Sequence, residues 1–251
     1  MFTFEGKDVT ADAGAPSLRD LGVHLSREGR YVGAAQRFWP VSLHSLAVTD
    51  LLPRKLEHHG LLHDAAEALT GDIPKPFKIP EMKALEIRLL HRIYESLRVE
   101  FPTPDEEKQI KEADARIFAA EVHLFGPSKA WGVYVPAVVD EEAERVLRVY
   151  MSTPSEDYLG PDGGVVKLFC WRLRDAVQRA RNNARKRRFD RSEKGRACKG
   201  GRYNRSEKGR ARQRRYRHSV NGRAIRRSYK YSEKGRACQR RYRQSEKGRA
   251  R

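Results

Sequence analysis

Two adjacent residues, His63 and Asp64, are the part of the sequence best suited to chemistry, because they offer an imidazole nitrogen and a carboxylate oxygen to one metal ion. They lie in an apolar run that predicts a helix from about Glu57 to Leu69. Helical positions three and four residues apart share a face, which places Glu67 beside the pair. We therefore expect two metal ligands here and a carboxylate able to handle a proton. The alternative is a hydrogen-bonded pair in the core.

Two further ligand candidates lie on predicted apolar helices, His44 before the pair and Asp114 after it. A carboxylate among alanines and apolar residues is costly to bury unless a cation or a charged partner compensates it. The four side chains supply two nitrogens and two oxygens, a set that suits Mn²⁺, Co²⁺, Fe²⁺, Zn²⁺ or Mg²⁺. The alternatives are an ordinary core histidine at His44 and pairing of Asp114 with Arg116 or Lys111.

The elements that must position these side chains are helices, because apolar residues recur at helical spacing along most of residues 17–182. Glycine, proline and aromatic residues predict a loop over residues 30–40. The β-like patches near Val133 and Gly164 are too short for a sheet, so we expect an all-α fold in which facing helices converge on one interior ion. The predicted helices cover about Leu18–Gly29, Leu43–Leu52, Glu57–Leu69, Glu81–Phe101, Ile110–Glu121, Asp140–Met151 and Lys167–Asn182.

Charge divides the chain into two parts. The formal net charge is +19, but residues 185–251 carry 28 basic and 5 acidic residues, which leaves a net of −4 for residues 1–184. We therefore predict a folded domain over residues 1–184 and a separate basic tail over residues 185–251. The tail is low in complexity and repeats Ser-Glu-Lys-Gly-Arg-Ala at intervals of about 13 residues. Copies begin at Ser192, Ser206, Ser232 and Ser245, and a degenerate copy begins at Ser219.

The repeat has almost no aliphatic content, so we expect the tail to be disordered or transiently helical. Arginines spaced between tyrosines suit nucleic acid, because guanidinium groups bind phosphates while tyrosine rings stack on bases. The tail is therefore predicted to bind nucleic acid. The alternative is a solubilising repeat expansion with only nonspecific affinity for polyanions.

Several classes of protein are not expected from the composition. The sequence contains no run of about 18 apolar residues, which predicts no membrane partner. Cys170, Cys198 and Cys238 are too few and too scattered for a disulfide scaffold or a zinc finger. Free thiols are typical of a reducing compartment, so we expect a cytoplasmic protein.

Four blocks of the sequence, in order, resemble the HD-domain phosphohydrolases, and among them the small bacterial and phage 5'-deoxynucleotidase-like branch. The resemblance spans about residues 30–121 and implies an HD-domain helical bundle. It also implies that His44, His63, Asp64 and Asp114 are metal ligands and that Glu67 orients or deprotonates the attacking water. The blocks are Arg30-Tyr31 with Gly33, Ser42 to His44, His63-Asp64-x-x-Glu67 with Gly71-Asp72-Ile-Pro-x-Pro-x-Lys78, and Lys111-Glu-Ala-Asp114.

The same resemblance places Asp72 in the catalytic site with Arg30, where both contact the substrate near its sugar and phosphate. Asp72 could equally be a turn residue, because it follows a glycine and precedes Ile-Pro. Lys78 and Lys111 are candidates to neutralise phosphate oxygens, since a phosphate monoester needs cations. Tyr31 is a candidate to stack on the base or the sugar.

These inferences predict a metal-dependent phosphohydrolase that releases phosphate from deoxynucleoside 5'-monophosphates. One alternative is a triphosphohydrolase that acts on dNTPs such as dATP. Some phage members of the family resemble enzymes of this kind. Another is a nucleic-acid-binding protein whose HD scaffold is not catalytic. The resemblance also makes a homodimer an expectation, although no segment has the pattern of an interface.

Overall fold

The computed structural model describes residues 1–126, 140–153, 160 and 162–192. The chain divides into two compact units, Met1–Asn183 and Ala184–Arg251. Within the described residues the structure is helical, with two isolated β-bridges and no strand. The all-α prediction is therefore confirmed for this part of the chain, whereas the patch near Val133 lies outside it. No described helix is both long and apolar enough to cross a membrane.

Eight α-helices lie in the described ranges, and each predicted helical segment overlaps at least one of them. Short 3-10 turns at Arg30–Gly33, Arg54–Leu56 and Lys75–Phe77 lie between them. The helices are α1 (Leu18–Arg27), α2 (Val41–Asp50), α3 (Glu57–Leu62), α4 (Glu67–Thr70), α5 (Pro80–Ser96), α6 (Pro104–Phe125), α7 (Glu141–Met151) and α8 (Gly164–Arg191).

The starts of α1 and α6 are fixed by capping boxes. The Ser17 hydroxyl accepts from the Asp20 amide while the Asp20 carboxylate accepts from the Ser17 amide. Thr103 and Glu106 make the same reciprocal pair before α6. Such pairs satisfy amides that have no partner within the helix, and they fix where the helix begins. The cap of α6 thereby helps to set the position of Asp114, which lies on that helix.

Helix α2 is the centre of the fold, since every residue from Val41 to Thr49 is buried. It packs against α1, α3, α6 and α7. A helix that is covered on all sides is part of the core, and its apolar side chains supply much of the stabilisation. His44 is therefore carried by the most enclosed element of the fold, where its ring nitrogens need partners other than bulk water.

Helix α3 crosses α2 at very short range. A Cβ atom at Gly60 would lie 2.6 Å from Thr49 Oγ1 and 3.1 Å from Thr49 Cα. Only a residue without a side chain permits this separation. The close crossing fixes the end of α3, and His63 follows directly from it.

A polar network ties α7 and α8 to the ends of α2 and α3. The last residue of α2, Asp50, accepts hydrogen bonds of 2.6 Å from Tyr150 Oη and from an Arg172 Nη. Arg172 also donates to Glu57, the first residue of α3, at 3.1 Å. Because Arg172 is largely buried, its charge is stabilised by two carboxylates rather than by solvent.

The predicted continuous helix over Glu57–Leu69 is wrong in its middle, because a turn at residues 63–66 separates α3 from α4. The His63 side chain explains the break. Its Nδ1 lies 2.8 Å from the Gly60 carbonyl oxygen, which in a continuous helix would accept from the Asp64 amide. The amides of Ala65, Glu67, Ala68 and Leu69 bond three residues back instead of four, as in tighter turns.

Candidate metal centre

The structure brings together three of the four predicted metal ligands. One ligand atom from each of His44, His63 and Asp114 lies within 4.8 Å of the others, so the group could hold a metal ion. His44 Nε2 is 3.0 Å from Asp114 Oδ1, and the two imidazole centroids are 5.3 Å apart. The residues come from α2, the turn after α3 and α6, so the group forms only when these segments pack together.

Asp64, the fourth predicted ligand, adjoins the group. Its Oδ2 lies 3.1 Å from His63 Nε2 and 3.7 Å from His44 Nε2. It also lies 3.6 Å from an Arg30 guanidinium nitrogen. Asp64 therefore contacts both imidazoles and stays a predicted ligand beside the three that form the compact group.

The Nδ1 atom of each imidazole lies within hydrogen-bonding distance of an oxygen atom that can only accept a hydrogen bond. His44 Nδ1 lies 2.7 Å from Glu121 Oε1, and His63 Nδ1 bonds the Gly60 carbonyl. Both Nδ1 atoms must therefore carry hydrogen, which leaves the Nε2 lone pair of each neutral ring directed at the cluster.

Neither Nε2 makes a hydrogen bond to any described residue, although both atoms are buried. The carboxylate oxygens at 3.0 and 3.1 Å are near enough, but they lie outside hydrogen-bonding geometry. Buried polar atoms are almost always satisfied, so these two require a partner that the described residues do not supply. The donor set of two imidazole nitrogens and nearby carboxylate oxygens fits a divalent cation such as Zn²⁺, Mn²⁺ or Co²⁺.

The raised pKa values of His44 and His63 also favour a bound cation. Burial and Arg30 lower the pKa of His44, but the Glu121 and Asp114 carboxylates outweigh them and raise it to about 9. Burial also lowers the pKa of His63, yet Asp64 raises it above its ordinary value. The cluster therefore has more negative charge than the neutral imidazoles can balance, and a divalent ion would take the place of their extra protons.

Glu67, the predicted water-handling residue, is buried beside this cluster. Its Oε2 has no hydrogen-bond partner among the described residues, while Lys78 Nζ lies 3.8 Å from its Oε1. Burial, followed by the charges of Asp64 and Asp72, raises the pKa of Glu67 to about 10. A cation at the neighbouring group would oppose that shift and favour the carboxylate.

One central residue, Glu121, is absent from the predicted set. It is fully buried on α6 and accepts four hydrogen bonds, so each carboxylate oxygen has two donors. Burial raises its pKa, but Arg30 and His44 outweigh that effect and lower the pKa to about 2. The donors are Arg30 Nε at 3.2 Å, Tyr31 Oη at 2.6 Å, Trp39 Nε1 at 2.8 Å and His44 Nδ1 at 2.7 Å.

A signal for Glu121 exists in the sequence. It lies seven residues after Asp114, which is two helical turns, so both carboxylates lie on the same face of α6. Apolar residues flank that face, including the buried Ile117 and Ala120. The same argument that selects Asp114, a carboxylate within an apolar stripe, therefore selects Glu121 as well.

Arg30 and Tyr31, predicted to contact substrate, bond to carboxylates inside the site. The Arg30 guanidinium lies between Asp64 and Glu121, and the Tyr31 ring lies near Phe118 with centroids 6.2 Å apart. The backbone of Tyr31 is left-handed, with φ of 62°, and Val32 follows with φ of 54°. Each such conformation costs about 1–3 kcal/mol and persists only where surrounding contacts enforce it. Contact of either residue with substrate stays a prediction.

The other predicted substrate contacts differ in their surroundings. The backbone amide of Asp72 donates to Glu28 Oε1 at 3.0 Å, a contact between distant parts of the chain, and Asp72 does not lie in a turn. Lys78 is largely buried between Glu67 and Glu86. Lys111 is not brought to the metal group, because its side chain is 73% exposed and pairs with Glu107 at 2.6 Å.

The alternative pairings considered for Asp114 are not found in the described residues. Arg116 pairs with Asp140 and Glu142 at 2.7 and 2.8 Å, and Lys111 is engaged by Glu107. The nearest partner atom of Asp114 is instead His44 Nε2. This arrangement favours a ligand role over a surface ion pair.

The chain is similar to a protein whose function is not characterised. No protein-family model matches the chain. Over 143 residues it is 28% identical to the uncharacterized protein YfdR of Escherichia coli strain K12. The match covers 56% of this chain and 78% of that protein. YfdR is uncharacterized, so the match assigns no chemistry to this chain.

Proposed function

We propose that the protein is a metal-dependent phosphohydrolase of the HD-domain type that releases phosphate from deoxynucleoside 5'-monophosphates. The observation that carries this proposal is the convergence of His44, His63 and Asp114, with two buried Nε2 atoms that lack hydrogen-bond partners among the described residues. A divalent ion bound there would polarise a phosphoryl oxygen and lower the pKa of bound water towards neutrality.

The residues of the chain then have separate roles in hydrolysis. Water adds to phosphorus as the bond to the sugar 5'-oxygen breaks, and the leaving oxygen takes up a proton. Glu67 positions the attacking water or accepts its proton. Lys78, 3.8 Å from Glu67, supplies positive charge for the phosphoryl oxygens, and Arg30 adds charge beside Asp64. Because Asp114 is 39% exposed, the cluster has an opening through which substrate can enter.

The choice of a deoxynucleotide rests on the four sequence blocks that resemble the 5'-deoxynucleotidase-like branch. The same residues are compatible with a dNTP triphosphohydrolase, because both reactions need a cation, a positioned water and basic side chains. The two enzymes differ in the product that leaves, which is phosphate in one and triphosphate in the other.

The test is a hydrolysis panel with purified full-length protein. Deoxynucleoside mono- and triphosphates and the matching ribonucleotides are supplied with Mn²⁺, Co²⁺, Mg²⁺, Zn²⁺ or Fe²⁺, and the products are separated. We expect phosphate and a deoxynucleoside from dNMPs and no turnover in the presence of a chelator. Release of triphosphate from dATP would replace the proposed activity with its alternative, and no turnover of any substrate would contradict both.

A second function, nucleic-acid binding, is supported by the last turns of α8. The basic residues Arg185, Lys186, Arg188 and Arg191 are exposed there, and the sequence continues into the arginine-rich repeats. Dense positive charge binds the phosphate backbone, and each repeat interval adds a tyrosine able to stack on a base. We propose that this segment and the repeats bind single-stranded nucleic acid.

Deletion of residues 193–251 tests this second function. We expect the full chain to bind a fluorescent single-stranded oligonucleotide with an affinity that falls steeply as salt increases. The deleted protein should lose most of that binding and keep its nucleotide hydrolysis. Equal binding by both proteins would contradict a role for the repeats.

A further inference from the structure

The Glu121 carboxylate connects two parts of the molecule that the reaction needs. Three of its four donors, Arg30, Tyr31 and Trp39, lie in the segment of residues 30–39 between α1 and α2. The fourth donor is Nδ1 of His44, whose opposite nitrogen belongs to the metal group. One buried side chain therefore contacts both that segment, hereafter the 30–39 loop, and a predicted metal ligand.

The loop is held against α6 at several points. Its ends meet through the Arg30 amide, which donates to the Trp39 carbonyl at 2.9 Å. Near the middle of the loop, the backbone amide of Gln36 donates to the Phe125 carbonyl at 3.0 Å. The ring centroids of Trp39 and Phe125 are 4.9 Å apart. The left-handed backbone at Tyr31 is unfavourable by itself, so the Tyr31–Glu121 hydrogen bond helps to hold it.

His44 spans the two carboxylates of α6. Its Nε2 is directed towards Asp114, and its Nδ1 is held by Glu121 two turns later on the same helix. Because Glu121 can only accept, it fixes the tautomer in which Nε2 is free for a metal. Outer partners of this kind orient a metal-bound histidine and increase its basicity.

From these contacts we infer that Glu121 is a positioning residue that couples order in the 30–39 loop to metal affinity at His44. The inference rests on the metal site of the proposed function and does not depend on which phosphate ester is hydrolysed. Loop contacts hold the Glu121 carboxylate, and Glu121 holds the His44 ring. By linkage, metal binding must stabilise the loop by the same free energy by which loop contacts strengthen metal binding.

The experiment measures Mn²⁺ affinity by calorimetry for the wild type and four variants. Glu121→Gln removes the charge, while Tyr31→Phe and Trp39→Phe each remove one loop donor and keep most of the side chain. Tyr150→Phe is the matched control, since it removes a 2.6 Å hydrogen bond to Asp50 at the far end of α2. Amide hydrogen exchange of residues 30–39 is followed with and without Mn²⁺.

We expect Glu121→Gln to weaken Mn²⁺ binding by about 10–100-fold and each loop variant by about fivefold or more. Tyr150→Phe should stay within about twofold of the wild type. Mn²⁺ should slow exchange in the 30–39 loop of the wild type and do so much less in Glu121→Gln.

Two outcomes would overturn the inference, and they are distinguishable. If the wild type binds Mn²⁺ and the loop variants bind it as tightly as Tyr150→Phe does, the coupling is wrong and the metal site stands. If the wild type binds neither Mn²⁺ nor any of the other four ions of the hydrolysis panel in the same calorimetry, the proposed function fails together with the inference. Because Tyr31→Phe and Trp39→Phe retain Glu121, the test remains decisive even if Glu121→Gln does not fold.

Discussion

Replacing His63 with alanine should abolish hydrolysis and weaken divalent-metal binding by more than about 100-fold, a larger loss than outer-shell partners cause. The imidazole supplies one of three ligand atoms, and its Nδ1 hydrogen bond to Gly60 aims Nε2 at the cluster. Without it the remaining group has one nitrogen ligand, and the activation of water that a bound ion provides is lost. Asp114→Asn should act similarly, because it keeps the shape of the side chain and removes its charge.

Matched controls separate this effect from general damage. His123 is also a histidine, but it is exposed and pairs with Glu144 at 2.6 Å. Glu107, like Asp114, is a carboxylate on α6, and it pairs with an exposed lysine. His123→Ala and Glu107→Gln should keep wild-type metal affinity and turnover, since surface pairs contribute little. Full activity in folded His63→Ala or Asp114→Asn would remove that residue from the site.

Glu67→Gln should keep metal binding and lower kcat by about 10²–10⁴-fold, the contribution typical of a positioned acid or base. Glutamine retains the size of the side chain but cannot accept the proton of the attacking water. The geometry supports this role, because the Glu67 side chain is buried beside the cluster and its Oε2 has no hydrogen-bond partner among the described residues. The measurements are metal affinity by calorimetry and single-turnover rates with a saturating dNMP.

Glu86→Gln provides the control for the second prediction. Glu86 lies 2.9 Å from the same lysine, Lys78, that lies 3.8 Å from Glu67. If the two variants lose activity equally, the effect comes from a misplaced Lys78 and not from the Glu67 carboxylate. A Glu67→Gln protein with an unchanged rate would exclude Glu67 from the reaction altogether.

The helices and the group of His44, His63 and Asp114, which could hold a metal ion, could be predicted because local rules select these residues. Ser17 is a cap residue followed by apolar residues at helical spacing, whereas the predicted start of α6 near Ile110 missed the Thr103 cap. His44 and Asp114 are polar side chains within apolar stripes, which makes them poor surface residues and good ligands. In these cases the type of residue and its periodicity are enough.

Features that depend on a single side-chain contact could not be predicted in the same way. The break after α3 arises because His63 bonds Gly60, a choice that helical periodicity does not reveal. Lys111 lies on the helix turn before Asp114, yet its long side chain extends to Glu107 on the solvent side. Glu121 has the same sequence signal as Asp114, but its four hydrogen-bond donors come from distant segments and are not evident from periodicity.

Gly60 combines two duties in one position. Its missing side chain lets α3 approach Thr49, and its carbonyl oxygen takes the His63 hydrogen that directs the ring. A methyl group there would push α3 away from α2 and move the Gly60 carbonyl with it. The His63 imidazole would then no longer direct its Nε2 atom at the cluster. A substitution that changes the packing at Gly60 would therefore also change the direction of the His63 imidazole. We expect homologues that keep the cluster to keep this glycine.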